Sequence, residues 1–96
     1  MYAQLVMLTL GPGTRSTAGK MADQFAPALR ALKGFKGVTF LGDETTGEYG
    51  SLTLWETKED AEAAAAVMRP KLEQAVSGIA KAPPTRRFFE VYETKA

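Results

Sequence analysis

The 96-residue sequence contains no cysteine and no histidine. Without cysteine, the chain has no disulfide, no thiolate nucleophile and no cysteine-ligated metal centre. Without histidine, it lacks the most common general base, the most common zinc ligand and the usual haem ligand. Side-chain chemistry in this protein therefore depends on carboxylate, hydroxyl, phenol, guanidinium, amine, amide or indole groups.

Concentrated charge and long apolar runs are also missing. Twelve basic and eleven acidic residues leave a formal net charge of +1, and the only adjacent basic pair is Arg86-Arg87. A nucleic-acid-binding face needs clustered basic residues, so no nucleic-acid partner is expected. No apolar stretch approaches membrane-spanning length and no signal peptide is visible after Met1. We therefore expect a cytoplasmic protein that does not associate with membranes.

Length and composition predict one globular domain covering residues 1–96. The chain is long enough for a single domain and too short for two. Its 45% hydrophobic and 24% charged residues are typical of an ordinary globular protein. A chain of this size buries a modest part of its surface, so its own core is expected to be thin.

Hydrophobic periodicity predicts six elements in the order β-α-β-β-α-β. Segments rich in β-branched, aromatic or alternating residues predict strands at 2–10, 38–43, 49–56 and 86–92. Three- and four-residue spacing predicts one helix after Thr14 and another after Thr57, where Asp60 completes a capping box. Pro27 and Pro70 lie inside these helices and are expected to kink or interrupt them. The order is that of the α+β, ferredoxin-like fold, a four-stranded antiparallel sheet with both helices on one face.

Strand alternation divides the sheet residues into two faces. The purely apolar sets, Leu52 with Leu54 and Phe89 with Val91, are expected to lie under the helices. The opposite face would carry a more aromatic set, namely Tyr49, Ser51, Thr53, Trp55, Arg86, Phe88, Glu90 and Tyr92, together with Val6, Leu8 and Leu41. So much aromatic area predicts a covering partner, and a two-fold homodimer is the expected solution. The alternative is a monomer with a few exposed aromatic residues.

Several local motifs point to a known family. A Gly-Phe-Lys-Gly turn at 34–37 precedes the second strand. The third strand ends in Leu-Trp-Glu-Thr at 54–57, an acidic and alanine-rich helix start follows at 58–63, and the last strand contains Phe-Phe-Glu-Val-Tyr at 88–92. With the element order, these features resemble the antibiotic-biosynthesis-monooxygenase-like family of the dimeric α/β-barrel proteins over essentially the whole chain.

The resemblance implies two sheets that pack into a barrel, with a pocket between each sheet and its helices or at the inner face of the barrel. Activities in the family include cofactor-free oxygenation of quinol-like and polyketide aromatics, and haem degradation. The haem-degrading branch uses a His on the second helix, an Asn on the first strand and the third-strand Trp. Only that Trp, as Trp55, is present here. The expectation is therefore no haem, no other cofactor and no metal.

Three residues are candidates for catalysis. Trp55 can stack on a planar aromatic substrate and donate a hydrogen bond, although a strand-end Trp more often fills the core or the dimer seam. Arg86 can stabilise an oxyanion on a phenolic substrate, and Glu90 can accept a proton if it lies in a closed cavity. The alternative for Arg86 and Glu90 is a solvated ion pair at the barrel rim.

Four further residues share the same predicted face and are candidates for binding a small aromatic ligand: Tyr49, Thr53, Phe88 and Tyr92. Two functions from different classes follow. One is cofactor-independent monooxygenation of a quinol- or anthrone-like aromatic. The other is a dimeric ligand-binding or stress-response protein that has the same pocket and no turnover. The residues alone favour neither, because one fold serves many functions.

Overall fold

The helices and strands follow the predicted order, and the ferredoxin-like fold class is confirmed. A computed structural model describes residues 1–94. The elements are β1 (Tyr2–Thr9), α1 (Arg15–Arg30), β2 (Phe35–Asp43), β3 (Glu48–Trp55), α2 (Lys58–Val76) and β4 (Thr85–Glu90). The strands form one antiparallel sheet in the order β2-β3-β1-β4. Within residues 1–94, neither helix combines the length and the apolar character needed to cross a bilayer.

Both helices continue through their prolines, so the predicted interruption at Pro70 is wrong. A helical proline leaves one carbonyl without its donor, four residues earlier in the chain. Pro27 and Pro70 are exposed, as are Asp23 and Ala66 at the positions that lose the bond. Water can reach this side of each helix and hydrogen-bond the freed carbonyl. The predicted cap of α2 is confirmed, since the Thr57 hydroxyl accepts a hydrogen bond from the Asp60 backbone N–H at 3.1 Å.

The predicted assignment of the sheet faces is wrong. Residues directly opposite each other share a face, and Tyr49, Ser51, Thr53 and Trp55 of β3 lie opposite Leu8, Val6, Gln4 and Tyr2 of β1. This set packs against the helices, because Tyr49 belongs to one core cluster with Leu72 and Val76 of α2, while Trp55 belongs to another with Ala61 and Ala64. Leu52, Leu54 and Phe89 lie on the face without helices. The most apolar set fails as a guide here because both faces of the sheet are largely apolar.

A close backbone contact joins the loop before α1 to the β2–β3 hairpin. Gly47 has a positive φ of 76°, and a Cβ there would collide with the Gly11 carbonyl group. The Gly47 carbonyl accepts a hydrogen bond from the Leu10 N–H at 2.8 Å, and the Gly47 N–H donates to the Asp43 carbonyl at 2.8 Å. Glycine therefore meets both the backbone and the space requirements of this turn. The contact fixes the start of α1 beside the hairpin.

Candidate functional site

A cavity of about 90 Å³ lies between the sheet and the two helices, among the side chains of both core clusters. We call it the inner cavity. Its walls are mainly apolar and come from every element of the fold. The apolar lining residues are Val6, Leu8, Ala18, Met21, Ala22, Phe25, Leu29, Phe40, Gly50, Met68 and Leu72. The polar ones are Gln4, Tyr49, Ser51, Thr53 and Arg86. The resemblance left two locations open for a pocket, and this cavity occupies the first of them.

The Tyr49 hydroxyl is a buried polar group in this wall that has no hydrogen-bond partner among the described residues. Tyr49 is only 8% exposed, and its hydroxyl oxygen is buried with no hydrogen-bond partner among residues 1–94. An unpaired buried hydroxyl costs about 1 to 3 kcal/mol, and most buried polar groups in proteins have a partner. A ligand oxygen bound in the inner cavity would supply the missing partner.

Gln4 and Ser51 line the inner cavity and were missed by the sequence reasoning. Gln4 is only 6% exposed and lies opposite Thr53, while Ser51 lies opposite Val6. An amide can both donate and accept hydrogen bonds, so Gln4 adds a versatile contact to the wall. The signal was present in the sequence, since Gln4 is the one polar residue in an otherwise apolar run from Tyr2 to Leu8.

Arg86 places a cation at the cavity wall. It lies on β4 opposite Val6, which puts it on the helix-facing side. Burial, followed by the positive charge of Arg69, holds the pKa of the Arg86 guanidinium below its usual value, while Glu73 acts in the opposite direction. Arginine remains protonated at neutral pH. Arg86 therefore brings a positive charge to the wall of the inner cavity, and its role toward a ligand stays a prediction.

Trp55 lies beneath the site and does not line it. Its side chain is 0% exposed, and its indole N–H donates to the Thr53 hydroxyl oxygen at 2.8 Å. The Phe35 ring packs edge-on against it, with 5.7 Å between the centroids. The Thr53 hydroxyl in turn donates to the Gln4 backbone carbonyl at 3.4 Å. Trp55 thus holds Thr53 from the core side, and Thr53 in turn contacts Gln4. This position agrees with the alternative interpretation, in which a strand-end Trp packs in the core.

The remaining predicted site residues do not come together at the inner cavity. Phe88 is on the helix-facing side of β4 but is exposed, and Glu90 lies at the end of that strand opposite Tyr2. Tyr92 follows β4 and is 86% exposed. The Arg86–Glu90 ion pair is not formed in the part of the chain that the structure describes. Roles for Glu90, Phe88 and Tyr92 in the chemistry stay predictions that their positions do not strengthen.

A second, more open space of about 510 Å³ adjoins the inner cavity. We call it the outer groove, and it is lined by Arg15, Ala18, Gly19, Ala22, Phe40, Leu41, Gly42, Glu44, Tyr49 and Gly50. The start of α1 and the β2–β3 hairpin form its two sides. Arg15 and Glu44, both well exposed, form an ion pair across it at 3.7 Å. The two spaces share Ala18, Ala22, Phe40, Tyr49 and Gly50.

Comparison with solved structures identifies proteins that share this fold. A monooxygenase from Streptomyces coelicolor, solved with the ligand nanaomycin D, is similar with a TM-score of 0.78 and 18% identity over 99% of this chain and 90% of its own. The cofactor-independent oxygenase SnoaB from Streptomyces nogalater has a TM-score of 0.73 and 14% identity over 98% and 94%. The chain has the fold of the antibiotic biosynthesis monooxygenases. The predicted resemblance is confirmed at this level.

The same fold includes proteins without an assigned activity. A Nitrosomonas europaea protein described as of unknown function is similar with a TM-score of 0.79 and 17% identity, covering 99% of this chain and 92% of its own. No protein-family model matches the sequence, and no curated protein matches it significantly. At these identities, the likeness establishes the antibiotic biosynthesis monooxygenase fold, and the chemistry must be argued from the site.

Proposed function

We propose that this protein is a cofactor-independent monooxygenase that binds a small electron-rich phenolic aromatic in the inner cavity. The observation that carries the proposal is the unpartnered Tyr49 hydroxyl in a largely apolar cavity whose wall also holds the Arg86 cation. An aromatic ring suits the apolar lining, and its oxygen substituent suits these two polar groups. The similarity in fold to SnoaB and to the Streptomyces coelicolor monooxygenase supports the same chemistry.

The reaction of an anthrone-like substrate with oxygen balances without another reductant. The ring CH₂ carbon loses two hydrogens and gains one oxygen atom as a carbonyl, and the second oxygen atom leaves as water. The substrate supplies all four electrons that reduce O₂. The enolate of the substrate is the electron-rich form that donates to oxygen, so the protein has to favour that anion and keep water away from it.

Each wall group has a role in this scheme. Arg86 stabilises the enolate or phenolate oxygen by its charge, and Tyr49 donates a hydrogen bond to an oxygen of the ring system. The aliphatic and aromatic walls hold the reactive ring in a dry environment. Among residues 1–94 no carboxylate lines the inner cavity, so the proton of the substrate passes to solvent, and the Arg86 cation favours this ionisation by lowering the pKa of the substrate's own acidic group.

Oxygen uptake with anthrone tests the proposal. The wild-type protein is expected to consume one O₂ per anthrone faster than the protein-free reaction, and to yield anthraquinone. Tyr49→Phe removes only the hydroxyl and should slow the enzymatic rate roughly threefold to tenfold, the scale of one hydrogen bond. Tyr2→Phe makes the same chemical change outside the cavity wall and should leave the rate unchanged. Wild-type uptake at the protein-free rate across a panel of anthrones and quinols would reject the proposal.

The second candidate is a dimeric ligand-binding protein without turnover. The lack of any carboxylate among the side chains that line the inner cavity favours it, because no residue there is an evident proton acceptor. It differs from the enzyme in one result. Phenolic aromatics would bind, Tyr49→Phe would weaken their binding, and oxygen uptake would stay at the protein-free rate.

A homodimer is the second part of the proposal. The face of the sheet opposite the helices, which we call the open face, carries Leu5, Met7, Leu41, Leu52, Leu54 and Phe89. Leu41 and Phe89 are exposed in the single chain, and Arg87 lies 4.7 Å from the centre of the Phe89 ring. An aliphatic sheet face of this kind is unfavourable in water. A second copy would cover it, and the inner cavity would remain on the far side of each sheet.

A charge at the centre of the open face is expected to separate the dimer. Leu52 lies opposite both Leu5 and Thr39, so Leu52→Glu would bury a carboxylate at the interface. Analytical ultracentrifugation should give about twice the 10.4 kDa chain mass for the wild type and the single-chain mass for this variant. Ser16→Glu, on an exposed position of α1, should remain a dimer. A wild-type protein that sediments as a monomer at every concentration would contradict the proposed assembly.

A further inference from the structure

Phe40 stands between the inner cavity and the outer groove. It lines both spaces and, at 40%, is the most exposed of the residues that line the inner cavity. Its position on β2 opposite Ser51 places its ring on the helix-facing side of an edge strand. A ring that contacts solvent on one side and a cavity on the other is less restrained than the packed residues around it.

No other side chain of β2 shares this position. The helix-facing residues on either side of Phe40 along the strand are Val38 and Gly42. Val38 packs in the core cluster around Trp55, and Gly42 has no side chain and lies directly against the Tyr49 ring. A Cβ at Gly42 would come within 2.7 Å of that ring. On the β2 side, the wall between the two spaces is therefore the Phe40 ring.

The inner cavity alone is too small for an aromatic ring, so its wall at Phe40 decides how much space a ligand can use. At about 90 Å³, the inner cavity is smaller than the roughly 150 Å³ cavity that accepts a benzene molecule in another protein. The outer groove adds about 510 Å³, and the two joined would fall in the range of roughly 300 to 1,000 Å³ that is typical of ligand sites. A phenolic ring therefore needs either a shift of the cavity walls or an opening at Phe40.

We infer that Phe40 determines how many fused rings the site accepts, by forming the wall between the inner cavity and the outer groove. The ring that carries the phenolic oxygen lies in the inner cavity beside Tyr49, and any further ring has to pass Phe40 into the outer groove. Met21 and Met68 are flexible and give the inner cavity some tolerance of shape, but they belong to α1 and α2 and do not line the outer groove. This inference rests on the proposed binding of phenolic aromatics in the inner cavity.

Binding of phenol, 1-naphthol and 9-phenanthrol under anaerobic conditions tests the role of Phe40. These ligands carry one, two and three fused rings and are titrated by calorimetry. Phe40→Ala should improve the affinity for 9-phenanthrol relative to phenol by roughly tenfold or more, the scale on which a hydrophobic pocket discriminates a methylene group. Phe40→Trp should shift the ratio in the opposite direction. Val67→Ala, at an exposed apolar position of α2 that lines neither space, should leave the ratio at the wild-type value.

An unchanged ratio in both Phe40 variants, or an equal change in Val67→Ala, would overturn the inference. Thermal melting of each variant verifies folding, which is expected because Phe40 is partly exposed. The outcome is independent of catalysis, since no oxygen is present. A shifted ratio without oxygen uptake by the wild type would reject the oxygenase and retain the role of Phe40. Oxygen uptake with an unchanged ratio would do the reverse.

Discussion

Trp55→Ala is expected to lower the free energy of unfolding by about 3 to 5 kcal/mol, the usual cost of removing a large buried aromatic side chain. Trp55 is fully buried, packs edge-on against Phe35 and donates a hydrogen bond to Thr53. Alanine would leave a void between the sheet and α2, and it would leave the Thr53 hydroxyl without one of its partners. A typical domain has a free energy of unfolding of only about 5 to 15 kcal/mol, so this variant would retain little of it.

Denaturant titration followed by circular dichroism measures this loss, because Trp55 is the only tryptophan and its fluorescence disappears in the variant. Trp55→Phe keeps an aromatic ring and should lose less. Tyr92→Ala removes a large aromatic at an exposed position and should change the stability little. All variants are compared at one protein concentration, since association alters apparent stability. A loss in Trp55→Ala no larger than that in Tyr92→Ala would show that Trp55 does not hold the core.

Arg86→Met should lower kcat/KM for oxygenation by roughly 100- to 1,000-fold, the loss seen when one group that stabilises an oxyanion is removed. The side chain keeps much of its length and loses its charge. Because a nearby cation favours the ionised substrate, the rise of rate with pH should also move to higher pH in this variant. A purely structural role for Arg86 would lower the rate without moving this pH profile.

Arg87→Met is the matched control, since Arg87 is the next residue on β4 and points to the open face. Its activity should equal that of the wild type under conditions in which the dimer is intact. Arg86→Lys retains the positive charge and should recover part of the rate. Equal activities in Arg86→Met and Arg87→Met would remove Arg86 from the proposed mechanism.

Local sequence rules predicted the elements well because their causes are local. The change of period between strand and helix, the glycine-containing hairpin loop and the Thr57–Asp60 cap all depend on residues a few positions apart. The strand ends were less accurate. The last strand ends at Glu90 instead of Tyr92, although the Val91 N–H still donates to the Met1 carbonyl at 2.9 Å.

The site was only partly predictable because it depends on register. Alternation grouped Tyr49, Thr53 and Arg86 correctly on one face, and all three line the inner cavity. The same rule put Glu90 and Trp55 with them, although pairing with Tyr2 places both at the far end of the sheet. Hydrophobicity did not indicate which face of the sheet the helices cover, because Leu52 and Leu54 on the open face are as apolar as core residues. The position of Phe40 between the inner cavity and the outer groove could not be predicted, because it depends on the packing of α1 against the sheet.

The alternation along β3 assigns neighbouring residues of one strand to two different surfaces. Tyr49, Ser51 and Thr53 point to the inner cavity, while Leu52 and Leu54 belong to the open face. Under the proposed function, adjacent codons of β3 would encode separate properties, ligand preference at the odd positions and association at the even ones. Substitutions at the cavity-facing positions would then change ligand preference without altering the face through which two copies associate.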